Sequence, residues 1–178
     1  MAMRFGLLAL LAGEPSHGYE LKTALERATG GSWAINIGQV YSTLQRLERD
    51  GLIVADAGEP SAGARDRTDY RITPTGSAAL DRWFSEPALT DAATRDGLTA
   101  KVLLAVAAPD IDVRDLIQRQ RSAILSLLQA YTRRKAAADP TDLPMMLMVD
   151  ALIFRAEADV RWLDACDARI ARSAGHRP

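Results

Sequence analysis

The apolar positions of this chain change period along its length, and those changes predict its elements. Met3 to Ala12 is nearly continuous in apolar residues and free of breakers, which predicts a short buried helix stopped by Gly13-Glu14-Pro15. Ser16 offers a capping oxygen to a second helix reaching about Thr29. Its Leu21, Ala24, Leu25 and Ala28 share one face, Lys22, Glu26 and Arg27 the other, and Gly30-Gly31 ends it. A third helix has the clearest stripe: Ile37, Val40, Leu44 and Leu47 recur at helical spacing, Asn36 and Gln39 stand at capping-box spacing, and Gly51 supplies a left-handed stop. Leu52 to Ala55 and Tyr70-Arg71-Ile72 predict the two strands of a hairpin around the long connection Asp56 to Thr68. Thr73-Pro74 then opens a fourth helix, to about Glu86, with a capping hydroxyl and a proline at the first helical position.

After Pro87 no strand-like alternation remains, which predicts a domain boundary between residues 1–86 and 87–178. Leu98, Val102, Leu103 and Val106 mark a short helix before Pro109, and Val113 to Tyr131 a long one closed by Asp139-Pro140. Met146, Val149, Ile153, Ala156, Val160, Leu163 and Ile170 follow a three-four repeat in the last helix, the pattern of helices packed lengthwise. Two long helices joined near Pro140 form an antiparallel hairpin that leaves apolar area exposed, so Met146, Val149, Ile153, Val160 and Leu163 are expected to build a homodimer. The fold class is mainly α with a small β-wing: an N-terminal winged helix-turn-helix and a C-terminal helical dimerisation domain.

Composition narrows the function by exclusion. Of 178 residues, 48% are hydrophobic and 25% charged, which fits packed modules rather than a disordered chain. No apolar run approaches the roughly 20 residues of a membrane helix, so a cytoplasmic protein without a membrane partner is expected. One cysteine, Cys166, and two distant histidines, His17 and His176, supply neither a disulfide framework nor a metal site, and no cofactor is expected. An enzyme is not expected either. Ser16 and His17 are adjacent and cannot form a nucleophile-base pair of ordinary geometry, Cys166 has no nearby histidine in sequence, and no phosphate-binding loop occurs.

Net charge is −1, and residues 1–86 hold nine Lys/Arg against eleven Asp/Glu, so any nucleic-acid surface must arise by arrangement. The third helix provides one. Opposite its apolar stripe it gathers Gly38, Gln39, Ser42, Gln45, Arg46 and Arg49, with no acid among them. A side-chain-free Gly38 beside the capping Asn36 permits close approach at the helix N-terminus, and Gln45 with Arg46 reach base edges. Each residue also has a plainer reading: Gln39 completes the capping box, Arg49 is a solvated charge, and Tyr41 packs at the flank of the stripe instead of reaching phosphate. His17, Tyr19 and Lys22 at the start of the second helix suit a backbone clamp, although His17 serves equally as a local cap. Arg65 and Arg67 suit a basic wing. Trp33, Trp83 and Trp162 are candidates for stacking on a flat ligand, with Trp162 set apart because it shares a face with Arg155 and Cys166. The rival to a DNA-binding protein is a winged-helix module that binds protein instead.

Three stretches go beyond this plan: His17-Gly18-Tyr19-Glu20-Leu21 after an apolar first helix, the run from Gly38 through Tyr41-Ser42-Thr43 to Gly51-Leu52-Ile53, and Tyr70-Arg71-Ile72-Thr73-Pro74-Thr75-Gly76. In these the chain resembles the PadR family of transcriptional regulators, in its longer-tailed branch. The resemblance implies a homodimer on a palindromic double-stranded DNA operator, usually a repressor, often released by a small aromatic or drug-like effector. Ser42 departs from it, because the family commonly has proline there.

Overall fold

In a computed structural model, residues 2–31, 33, 35–56, 68–88, 95–108 and 110–174 are described. Their packing divides the chain into two compact units, one of Met1–Glu86 with Asp96–Ile111 and one of Pro87–Arg95 with Asp112–Pro178.

The first unit begins with α1 (Ala2–Leu11), whose Leu7, Leu8 and Leu11 are buried. Next come the two-residue strand β1 (Ser16–His17) and α2 (Gly18–Ala28). Ser16 was expected to cap this helix; it lies instead in β1, and His17 is the cap. Gly30 and Gly31 adopt φ of 60° and 73°, and the Gly31 amide donates 2.8 Å to the Glu26 carbonyl, which closes the helix end. α3 (Ile37–Arg49) buries Val40, Thr43, Leu44 and Leu47 and stops at Gly51, whose φ is 72°.

β2 (Ile53–Asp56) and β3 (Asp69–Ile72) pair antiparallel with Ile53 opposite Ile72, as the alternation predicts. The sheet also has a third strand, with order β1-β3-β2 and Ser16 opposite Tyr70. Two residues are too few to show a period, so this strand left no pattern in the sequence. The segment expected to form the basic wing, with Arg65 and Arg67, lies outside the described residues.

α4 (Pro74–Ser85) is capped by Thr73, whose hydroxyl accepts from the Gly76 amide at 3.0 Å and donates to the Gly51 carbonyl at 2.7 Å. Gly76 is required by packing: a Cβ there would stand 2.0 Å from the Leu52 carbonyl oxygen. Phe5 of α1 stacks on Trp83 of α4 at 4.8 Å between ring centroids.

α5 (Arg95–Ala107) groups with this first unit, one element later than the boundary drawn at residue 86. Its Leu98, Val102, Leu104 and Ala105 are buried, and a Cβ on Gly6 would meet Leu25 at 2.7 Å and Leu104 at 3.6 Å. Val106, expected on the buried face, is exposed. Lys101 is 3% exposed; its ammonium lies 5.1 Å from the Trp83 ring and donates to the Glu86 carbonyl.

The second unit is the helical hairpin of α6 (Val113–Ala137) and α7 (Leu143–Ala174). Asp112 caps α6 by accepting from the amides of Arg114 and Asp115, both at 3.0 Å. The helices run antiparallel: Arg114 meets Asp167 at 3.1 Å, Arg121 meets Asp164 at 2.7 Å, and Lys135 meets Asp150 at 2.5 Å. Leu116, Ile117, Ile124, Val149, Ala156 and Leu163 form its core. The buried Gln120 accepts from the Ala88 amide at 2.7 Å, so a polar core side chain satisfies the backbone that enters the unit.

Candidate nucleic-acid interface

α3 is held so that one face is free. Its apolar residues are fixed by α1, α2 and β2, and its N-terminus is set by Asn36, whose side-chain oxygen accepts from the Gly38 amide at 2.8 Å. Gln39 does not close the capping box; among the described residues its side chain has no hydrogen-bond partner, and it is exposed. Ser42, Gln45, Arg46 and Arg49 are exposed on the same side, and Gly38 leaves the helix start bare. A Cβ on Gly38 would come within 3.3 Å of the Asn36 cap oxygen, so that position also protects the cap.

Three of these side chains have local partners, the Ser42 hydroxyl donating 3.1 Å to the Gln39 carbonyl. Arg49 donates to Asp50 at 3.2 Å, an exposed pair that competes weakly with other anions. Arg46 folds back along its helix, with Nε donating 3.0 Å to the Ser42 carbonyl and Nη2 donating 3.4 Å to the Thr43 hydroxyl. The acid of the helix, Glu48, stands about 100° around α3 from Arg49, and its charge adds to burial in raising the Tyr70 pKa. The free face of α3 is therefore polar and cationic although the unit as a whole is not.

Around the start of α2 the predicted clamp residues divide. Tyr19 is 60% exposed and available. His17 is engaged locally: its Nδ1 accepts from the Glu20 amide at 3.4 Å and its Nε2 lies 3.3 Å from the Glu20 carboxylate. Lys22 pairs with Glu26 at 2.7 Å, one turn on. Tyr41 covers the first residue of α2. A Cβ on Gly18 would fall 2.8 Å from its ring, so Gly18 and Tyr41 fix the angle between α2 and α3.

Two of the five expected dimer residues lie in the core of the hairpin instead. Val149 and Leu163 are fully buried inside the α6–α7 hairpin, and Met146, Ile153 and Val160 are half-buried. The three-four repeat of α7 is matched by the 25 residues of α6 lying alongside it. The large apolar side chains that α7 leaves open are Leu143 (63%), Leu147 (60%), Met148 (50%) and Phe154 (66%). Of the tryptophans, Trp83 is engaged with Phe5, Phe84 and Lys101, while Trp33 and Trp162 are half-buried. Arg155, near Trp162 on α7, is exposed, and burial raises the Cys166 thiol pKa against the opposing effect of Arg169. Among the described residues there is no cluster of metal-ligating side chains, and no helix is long and apolar enough to cross a membrane.

Sequence reasoning missed Met3 and Arg4, which line a cleft against the flank of α3. A signal was present, since Arg4 is the one charged residue in an otherwise apolar first helix.

Residues 7–82 match the model of the transcriptional regulator PadR-like family, and residues 94–171 match the model described as virulence activator alpha C-term. The "Probable transcriptional regulator Rv1176c" of Mycobacterium tuberculosis is 28% identical over 181 residues, covering 92% of this chain and 95% of that protein. The "Transcriptional regulator Rv3488" of the same organism is 38% identical over 79 residues, covering 44% of this chain and 69% of its own length. The crystal structure of Bacillus subtilis PadR in complex with operator DNA superposes with a TM-score of 0.45 at 23% identity, covering 93% of this chain and 96% of that one. With a free polar face on α3 and three separated motifs falling inside the matched region, the chain belongs to the PadR-like family of transcriptional regulators.

Proposed function

We propose that this DNA-binding regulator is a homodimeric repressor that places α3 of each protomer in the major groove of a palindromic operator. The observation that carries the reading is the exposed face of α3, where Ser42, Gln45 and Arg49 offer donors and acceptors without an acid and Gly38 leaves room for close approach. Tyr19 and the Asn36-capped N-terminus of α3 supply backbone contacts, and Arg65 and Arg67 complete them from the wing. The second copy covers Leu143, Leu147 and Phe154, which fall on one side of α7 at helical spacing and are each at least 60% exposed. Release by a small planar effector follows the family resemblance, with Trp162 and Arg155 as its contacts.

A titration of the full chain against a duplex carrying the region upstream of its own gene, at two or more salt concentrations, tests the reading. Binding should weaken steeply as salt rises, with a logarithmic slope of about −0.9 per phosphate neutralised. Salt-independent binding, or none, would favour a winged-helix module that engages protein.

A further inference from the structure

A cleft of about 400 Å³ opens between the first turn of α1 and the flank of α3. Its walls include Met3 and Arg4 on one side and Gln39, Ser42 and Arg46 on the other, with Asp50 at its margin. The walls are tied together where the Thr43 hydroxyl lies 3.8 Å from the Met3 sulfur. The charge inside is positive. Asp50 already accepts from Arg49, whereas Arg4 and Arg46 have no carboxylate partner among the described residues. Arg4 is also incomplete as a donor: its Nε is buried without a hydrogen-bond partner within the protein, a condition native structures rarely leave unanswered.

Position decides what this cleft faces. A helix with its side chains is about 10–12 Å across and the major groove is about 12 Å wide, so the flanks of an inserted helix lie against the sugar-phosphate walls. At about 100° per residue, Arg46 and Gln39 lie roughly 60–80° around α3 from Arg49, the centre of the free face. That displacement turns them away from the base edges and toward a backbone.

We propose that the cleft seats one DNA phosphodiester, gripped by Arg4 from α1 and by Arg46 after it leaves the Ser42 carbonyl, with the Gln39 amide and the Ser42 hydroxyl, once turned from the Gln39 carbonyl, as neutral donors. The proposal rests on the DNA-binding reading above. It makes α1 part of the interface and assigns Arg46 to the backbone rather than to a base.

The test uses the full chain and two duplexes, one selected by the protein from a random library and one unselected. Arg4→Gln should weaken binding to both by the same factor, about tenfold, and make the salt slope shallower by about one unit. Arg4→Lys, which keeps a point charge able to hold phosphate, should stay within about threefold of the parent. Arg46→Ala should likewise lose affinity equally on both duplexes. An unchanged slope in Arg4→Gln, or equal losses in Arg4→Gln and Arg4→Lys, would overturn the phosphate seat. So would a loosened base preference in Arg46→Ala. Circular dichroism melting checks that each variant is folded, and Arg4→Lys with Arg46→Ala carries the test if Arg4→Gln is not. Failure of the parent chain to bind either duplex would overturn the DNA reading itself and the phosphate seat with it.

Discussion

Single atoms decide several positions here. Gly76 is fixed by the carbonyl of Leu52, because a β-carbon would occupy the same space 2.0 Å away and the obstacle is backbone. Gly76→Ala is expected to cost about 1–3 kcal/mol in urea unfolding, the range for forcing atoms into a packed interior. Replacement without measurable loss would mean that β2 and α4 part easily. Asn36 tests the helix cap and the interface separately. Asn36→Asp keeps an acceptor for the Gly38 amide, so stability should change by only a few tenths of a kcal/mol. The same change puts a carboxylate where phosphate is expected, and DNA affinity should fall; equal affinity would remove that helix end from the interface. Tyr70 carries a pH dependence. Burial, with Glu48 and Tyr41 adding to it, raises its pKa above 10.0, so the folded state holds the phenolic proton more tightly than the unfolded chain does. Its contribution is complete below the unfolded value and is lost as pH rises from there through the folded value. Tyr70→Phe should therefore lose less stability than the parent between pH 9 and 11, and parallel curves would contradict the assignment.

The elements differ in how far they were legible, and the reasons are physical. α3 was readable to within a residue at both ends because cap, stripe and glycine stop coincide in one short segment. α4 was equally plain, since Thr73 and Pro74 specify its start. β1 was not, because its pairing is made by β3 rather than by any alternation of its own. The free face of α3 could be listed from periodicity alone, yet the cleft beside Arg4 depends on α1 lying across it, which no local pattern encodes. At this scale the wing also has a test. Replacing Arg65 and Arg67 with alanine should leave thermal stability within about 0.5 kcal/mol, because the sequence from Gly58 to Thr68 holds no large apolar residue to anchor a core. The salt slope of DNA binding should become shallower by about one to two units per protomer. Unequal loss between specific and random DNA would mean instead that the wing reads groove width.

For the whole molecule, α7 carries two apolar faces with different duties. One is closed within the hairpin by α6, so Leu163→Ala should destabilise the second unit by about 2–5 kcal/mol as a core truncation. The other presents Leu147 and Phe154 outward, and the paired change Leu147→Asp with Phe154→Asp should give a folded monomer by sedimentation. A variant that stays dimeric would place the partner elsewhere. The proposed dimer would read a two-fold site: each protomer would bring one α3, and half-sites would fall about one turn of DNA, 10–10.5 base pairs, or a multiple of it apart. Hydroxyl-radical footprinting of the full chain on the region upstream of its own gene tests this most directly. The account predicts two protected half-sites related by a dyad at that spacing, both lost together in the Leu147→Asp, Phe154→Asp variant. A single protected half-site, or no protection at salt concentrations where the protein is folded and dimeric, would contradict it.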